Sequence, residues 1–325
     1  MPCMLFDERR RRLLGHIVCW HGAEKNGKTR GMKTTLDISI LVLTIAMMAV
    51  VGTGLEGRHF GELARRRRVV PLALIGQIVL LPLIGWCVVR CMALPPHVGA
   101  GILLIAACPV GDIANFYTAL ARANTALSVV VNILSCFLAA LTMAAVFALY
   151  VRLAGEGFAF AVPPLGLLGR LLLITAAPLA AGALLRREAP RFVARVGPIV
   201  QNACLLGIGG VVVLILVVQG NLVASDWRPA AAASLALMAA AMAAGWGLSS
   251  VMGLPATDRM SFAILFPVRN VGLAMAVAIT LLGRVEYAAF AVVYFLTEVP
   301  LLLGVVALRR WRQAQSEPAF SGETT

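Results

Sequence analysis

Cys108-Pro109-Val110-Gly111-Asp112-Ile113-Ala114-Asn115 is the stretch on which the reading of this chain turns. It interrupts an apolar segment that runs from about Val98 to Ala121. Pro109 removes a backbone donor, and Gly111 loosens a helix that would otherwise continue. Asp112 places a carboxylate where hydrocarbon is expected. Inside a bilayer, backbone that lacks its own hydrogen bonds is tolerated only where protein or a water-filled cavity covers it. A break beside an ionisable residue is therefore a candidate site. A second break lies far downstream, at Leu265-Phe266-Pro267-Val268-Arg269-Asn270. The two breaks are expected to face each other and form the working centre.

Composition sets the class. Of 325 residues, 60% are hydrophobic and 13% charged, and the mean hydropathy is +0.90. Apolar runs of about 20 residues, separated by short polar loops, mark an all-α polytopic membrane protein. Hydropathy places about nine transmembrane helices, at roughly 36–55, 69–94, 98–121, 125–152, 163–185, 196–219, 229–252, 258–283 and 286–309. Spans three and eight carry the breaks. Gly57, Pro95-Pro96, Gly155, Gly157, Pro163-Pro164, Pro190 and Gly253 to Pro255 mark joints. Residues 36–310 thus form a single transmembrane domain, and 311–325 a cytoplasmic tail. Residues 1–35 hold the lysines Lys25, Lys28 and Lys33 and the run Arg9–Arg12. They read as a disordered tail, or as a stretch upstream of a start at Met32.

The formal net charge is +13, yet no basic patch interleaved with aromatics on a soluble face points to nucleic acid. The arginines sit at span ends instead. Arg58 and Arg65–Arg68 follow span one, Arg186, Arg187, Arg191 and Arg195 follow span five, and Arg309, Arg310 and Arg312 follow span nine. With nine spans these regions share a side, joined by Arg122 and Arg259. Arg90, Arg152, Arg228 and Arg284 lie on the other. The asymmetry argues for a cytoplasmic C-terminus and an outside N-terminus, and the chain is expected to be multi-pass in the inner (plasma) membrane. The basic residues before Met32 oppose this orientation.

The halves look related. Each break lies in the next-to-last span of its half, and each holds Pro-Val followed by a polar residue and an Asn. Four spans in the first half and five in the second fit an inverted repeat that lacks its leading helix.

Ionisable residues inside spans are few: Asp112, Arg269 and Glu298, with Arg170 nearer an end. Each costs roughly 2.5 to 3.5 kcal/mol at the membrane centre on insertion scales, so pairing is the cheapest resolution. Asp112 and Arg269 sit at equivalent breaks and are expected to approach each other, either as a static ion pair or as groups that bind substrate and gate a cavity. Glu298, close to Pro300, is a candidate proton carrier or a second partner for Arg269. Gln77, Asn115, Ser128, Asn132 and Asn270 supply neutral polar groups, and Ser128 and Asn132 share one helix face. The seven cysteines are scattered and read as packing residues, with no metal set and no disulfide framework. No HExxH, GxSxG or phosphate-binding loop is present, so no enzyme and no resident cofactor is expected.

At these residues the chain resembles the bile acid:sodium symporter family. Cys108 to Asn115 looks like the family's Cys-Pro-Gly-Gly-Thr-x-Ser-Asn crossing. Leu120-Ala121-Arg122 and Ala126-Leu127-Ser128-Val129 match its run into the next span. Gln77 followed by Pro82 matches a Gln-x4-Pro helix, and Asn270-Val271-Gly272-Leu273-Ala274 resembles Asn-Ser-Gly-Leu-Ala in the second crossing. The similarity covers roughly Met47 to Leu308.

The resemblance implies panel and core subdomains, two discontinuous helices crossing in the core, alternating access, and organic anions as substrates. It implies sodium ligands only in part. Gln77, Asn115 and Ser128 stand at matching positions and leave sodium possible there. Asn132 replaces a Thr, and Ala114 a Ser. Leu265 stands where the family has an anionic Glu, Arg269 where it has Gln, and Asp112 where it has Thr. A hard cation needs oxygen ligands, and an arginine repels it or stands in for it. The expected function is therefore secondary transport of a small organic anion without the usual sodium sites. Two alternatives stay open: a sodium-coupled symporter with rearranged ligands, and a non-transporting membrane receptor or scaffold.

Overall fold

The computed structural model describes residues 37–54, 61, 66–154 and 164–316. The expectations for residues 1–35, and those for Gly57, Gly155, Gly157 and Pro163, fall outside that set. Apart from one isolated β-bridge, regular structure among the described residues is helical. The elements are α1 Asp37–Thr53, α2 Val69–Cys91, α3 Pro96–Ala107, α4 Ile113–Leu120 and α5 Thr125–Ala154. Next come α6 Pro164–Leu171, a π-helical turn Leu172–Ala176, α7 Ala177–Glu188 and α8 Pro190–Val251. The chain ends with α9 Ala256–Leu265, α10 Val271–Ala276 with a π-helical turn Val277–Leu281, and α11 Val285–Ser316. Among the described residues, six helical stretches are long and apolar enough to cross a membrane. The chain is a polytopic membrane protein.

Proline opens several helices. Pro96, Pro164 and Pro190 each stand at a first helical position, where a missing N–H costs nothing.

Two boundaries differ from the sequence reading. The expected joint between spans at 196–219 and 229–252 is not a loop, because the backbone stays helical from Pro190 to Val251. A straight helix would set Ile208 and Gly245 about 55 Å apart at 1.5 Å per residue. Yet Ile208 lies against Gly272, while Gly245 lies against Phe262 and Phe266. The segment therefore turns back on itself between them, and its two span-length stretches are Pro190–Val217 and Val223–Val251. Gly220 lies between these two stretches and Pro229 just inside the second, residues at which a helix bends most readily. The second difference is at the C-terminus. α11 runs six residues past Arg310, to Ser316, so the stretch expected as tail begins helical.

Small residues set how closely helices approach. A Cβ on Gly182 would fall 2.0 Å from the Ala49 carbonyl oxygen, and one on Gly52 would fall 2.0 Å from that of Leu179. α1 and α7 thus meet backbone to backbone, as small residues permit in membrane helices. Met48, Val51, Ile133, Cys136 and Leu179 pack around this contact and tie both helices to α5.

A polar knot joins one end of the molecule. Asn124 caps α5, its Oδ1 accepting from the Leu127 N–H at 3.1 Å. Its Nδ2 donates to Asp258 Oδ1 at 2.7 Å, and Arg66 donates to the other oxygen of that carboxylate. The Asn124 N–H also donates to Ser261 Oγ at 2.9 Å. Asp258 is buried in the first turn of α9, where a negative charge suits the helix dipole. Arg309 reaches the Ala256 carbonyl at 3.5 Å. Arg66, Arg122, Arg259 and Arg309, expected on one side, are thereby gathered at one end.

α4 ends in a Schellman motif. Ala123 N–H donates to Thr118 O at 2.9 Å, and Arg122 N–H to Ala119 O at 3.0 Å. The residue in the left-handed position is Arg122, with φ 50°, where glycine is the usual occupant. Arg122→Gly is expected to stabilise the protein by about 1 kcal/mol, read as a higher melting temperature in detergent.

Candidate functional site

The two breaks meet. α3 ends at Ala107 and the chain extends through Cys108, while α9 ends at Leu265 and α10 starts after Asn270. Between them Val110 and Arg269 form an antiparallel bridge. Gly111 N–H donates to Val268 O at 3.2 Å, and Asn270 N–H donates to Pro109 O at 2.9 Å. Each break thus supplies the hydrogen bonds that the other lost by leaving the helix. Val110 N–H is satisfied by Ser135 Oγ at 3.2 Å. Asn270 caps α10, its Oδ1 accepting from Leu273 N–H at 2.9 Å. Tyr294, on α11, donates its hydroxyl to Pro267 O.

Gly111 owes its place to proximity. A Cβ there would fall 2.6 Å from the Arg269 carbonyl oxygen, so any larger residue pushes the strands of the crossing apart.

The side chains of Asp112 and Arg269 diverge, and the expected ion pair is absent among the described residues. Their backbones are neighbours, but Asp112 Oδ1 accepts from Asn132 Nδ2 at 2.7 Å. The Arg269 side chain turns the other way. Its Nε donates to Cys108 O at 3.1 Å and its Nη1 to Phe266 O at 3.2 Å, with Nη2 also directed at Cys108 O. Arg269 is 4% exposed. The reason is local: a guanidinium has five donors and no acceptor, and the breaks leave carbonyls on its own side without helical partners.

The crossing therefore has two polar faces. On the first, Asp112, Asn115 and Asn132 line a cavity of about 380 Å³, together with Thr53, Arg186 and Gln201. Ser128 Oγ donates to Asn115 Oδ1 at 2.7 Å on this face. On the second face, Gln77, Cys108, Ser135 and Arg269 border a space of about 20 Å³, room for one water-sized occupant. Among the described residues, neither amide atom of buried Gln77 has a hydrogen-bond partner.

Glu298 belongs with Arg269. It is 1% exposed; its carboxylate makes no well-formed hydrogen bond among the described residues, and the Arg269 backbone N–H is the donor that faces it. It lies within electrostatic reach of Arg269, Tyr117 and Tyr294. The Tyr117 hydroxyl and Asn270 Nδ2 are also buried without partners among the described residues. Tyr117, Ser135 and Tyr294 were not singled out from sequence. Each is a polar group on an apolar helix close to a break, a signal that aromatic bulk or small size conceals.

Of the three positions that leave sodium possible, Asn115 and Ser128 touch each other, and Gln77 lies on the opposite face. Leu265 is fully buried in an apolar cluster with Phe262, Phe266 and Leu302. The position where the resemblance expects a carboxylate is thus packed in hydrocarbon.

The profile of the Sodium Bile acid symporter family matches residues 40–226, more than half of the chain and inclusive of the first break. This chain belongs to that family. The family is one of transporters, not enzymes. Three relatives illustrate its reach. An uncharacterized sodium-dependent transporter of Bacillus subtilis, YocS, is 33% identical over 106 residues, 33% of each chain. The probable sodium/metabolite cotransporter BASS1 of Arabidopsis thaliana chloroplasts is 32% identical over 183 residues, 55% of this chain and 43% of the relative. The sodium/bile acid cotransporter 4 of Rattus norvegicus is 24% identical over 240 residues, 72% of this chain and 54% of the relative. The matched segments span 33% to 54% of these relatives' lengths.

Gly111→Val should prevent the crossing from closing, with a loss of about 1–3 kcal/mol or more from overpacking. Gly169→Val, at a site with nothing within 4 Å of a built Cβ, should be close to neutral. Thermal denaturation of the two variants in detergent compares them directly.

Proposed function

We propose that the protein is a secondary transporter of small organic anions, working by alternating access, in which the Arg269 guanidinium holds the place of a coupling cation. One observation carries this reading. The carbonyls of Cys108 and Phe266, freed at the two breaks, are already occupied by a fixed cation. Unwound carbonyls of this kind attract cations in broken-helix transporters. Leu265 offers no charge to hold a dissolved one.

The broader plan follows the same reading. Nine spans, an inverted repeat lacking its leading helix, and panel and core subdomains are supported by the antiparallel meeting of one interrupted helix from each half. A cytoplasmic C-terminus is supported by the arginines gathered at one end of the molecule. The cavity beside Asp112 has a volume suited to a small solute. Transport then runs by uniport, by exchange, or with a proton carried on Asp112 or Glu298.

A second reading has its own observation. Oxygens of Asp112, Asn115, Ser128 and Asn132 converge on one face of the crossing, and the named relatives are described as sodium-dependent or sodium cotransporters. Sodium coupling with Asp112 as the carboxylate ligand fits that convergence.

Uptake of a panel of keto acids and steroid acids into proteoliposomes, with and without a sodium gradient, separates the readings. Sodium-independent uptake is expected. Strong sodium dependence that disappears in Asp112→Asn or Ser128→Ala would replace the first reading with the second. Stabilisation by a panel compound without flux would point to a non-transporting receptor. Arg269→Gln is expected to vacate the carbonyls, so sodium but not potassium should raise the melting temperature of this variant, while the parent protein stays indifferent to both.

A further inference from the structure

Away from the crossing, a groove of about 380 Å³ opens between α8, α9 and α11, at the end of the molecule where the arginines gather. Its walls are mainly apolar, from Trp246, Met260, Val305 and Leu308, and Arg309 and Arg312 border it. The Arg259 guanidinium lies 5.3 Å over the Trp246 ring at the same end. Among the described residues, none of these three arginines forms an ion pair with a carboxylate. The Nε atoms of Arg259 and Arg309 are buried donors without an acceptor among the described residues. A buried donor left unmet is costly, so an acceptor is expected there. The surroundings fix the depth. Trp246, which lines the groove, is exposed, as is Trp311 next to Arg312 in the chain, and exposed tryptophans of a membrane protein mark headgroup level.

We infer that this groove binds one anionic glycerophospholipid, its acyl chains along Met260, Val305 and Leu308 and its phosphate held by Arg309 and Arg312. Charge complementarity selects the occupant. Guanidinium forks match phosphate oxygens, and basic pockets between membrane helices take anionic headgroups. A choline headgroup would bring its own cation against three arginines. A free phosphate would leave the apolar walls uncovered. The site shares no residue with either face of the crossing, so it stands independently of the transport reading.

The full-length protein, delipidated in a neutral detergent, tests this by thermal denaturation against added phosphatidylglycerol, phosphatidylcholine or inorganic phosphate. Phosphatidylglycerol is expected to raise the melting temperature by several degrees, and the other two to do little. Arg309→Gln should shift half-saturation to about tenfold higher lipid or more. Arg312→Glu reverses a charge at an exposed position, where folding is not at stake, and should abolish the selectivity. Equal stabilisation by phosphatidylcholine overturns the proposal, as does an equal effect of inorganic phosphate. Phosphatidylglycerol selectivity that survives both substitutions places the lipid elsewhere and also overturns it.

Discussion

Two short stretches of backbone leave their helices in the middle of an apolar protein, and each must find hydrogen bonds without water. They find them in each other. The antiparallel pairing of Val110 with Arg269 brings four interrupted pieces, α3, α4, α9 and α10, to one point. The other features of the site answer the same demand. Gly111 permits the approach, Ser135 meets the Val110 N–H, Asn270 caps the helix that restarts, and Tyr294 covers the Pro267 carbonyl. Arg269 closes the account from inside, because its fork reaches carbonyls on both broken helices.

The consequence is a crossing with two unlike faces. Asp112 looks into a roomy cavity next to α1, α5 and α8, with neutral amides and a hydroxyl beside it. Arg269 looks into a space hardly larger than a water molecule, with Gln77 on its border and Glu298 near by. A single charge-balanced pair would have neutralised both residues in one place. Separating them leaves each with a different neighbourhood, one facing room for a solute and the other a water-sized space. This arrangement gives the protein one surface suited to a solute and another suited to holding the crossing together.

Much of this was legible in the residues. Pro109, Gly111 and Pro267 announce breaks in helices too apolar to break by accident, and Asp112 and Arg269 announce that the breaks are not mere kinks. Their meeting followed from equivalence of position. What charge alone hid was the choice of partner. Counting ionisable groups pairs Asp112 with Arg269, but Asn132 and two backbone carbonyls are neutral and do not enter that count. Tyr117 was overlooked for a related reason, since its ring reads as hydrocarbon and its hydroxyl is one atom. The helical bend inside α8 was hidden as well. The polar stretch Asn221 to Arg228 reads as a loop, yet its residues are helical and the breakers, Gly220 and Pro229, stand at its two edges.

The Arg269 guanidinium is joined to its own main chain. A dissolved ion enters at one surface, leaves at the other, and delivers the free energy of its gradient on the way. A tethered charge comes back to its starting point each time the protein completes a cycle. The work that a membrane potential does on it outward is returned inward, and the sum is zero. Such a charge can set how fast the molecule turns over, and which orientation it rests in at a given voltage. It cannot supply the energy to concentrate a solute, which must come from some other gradient.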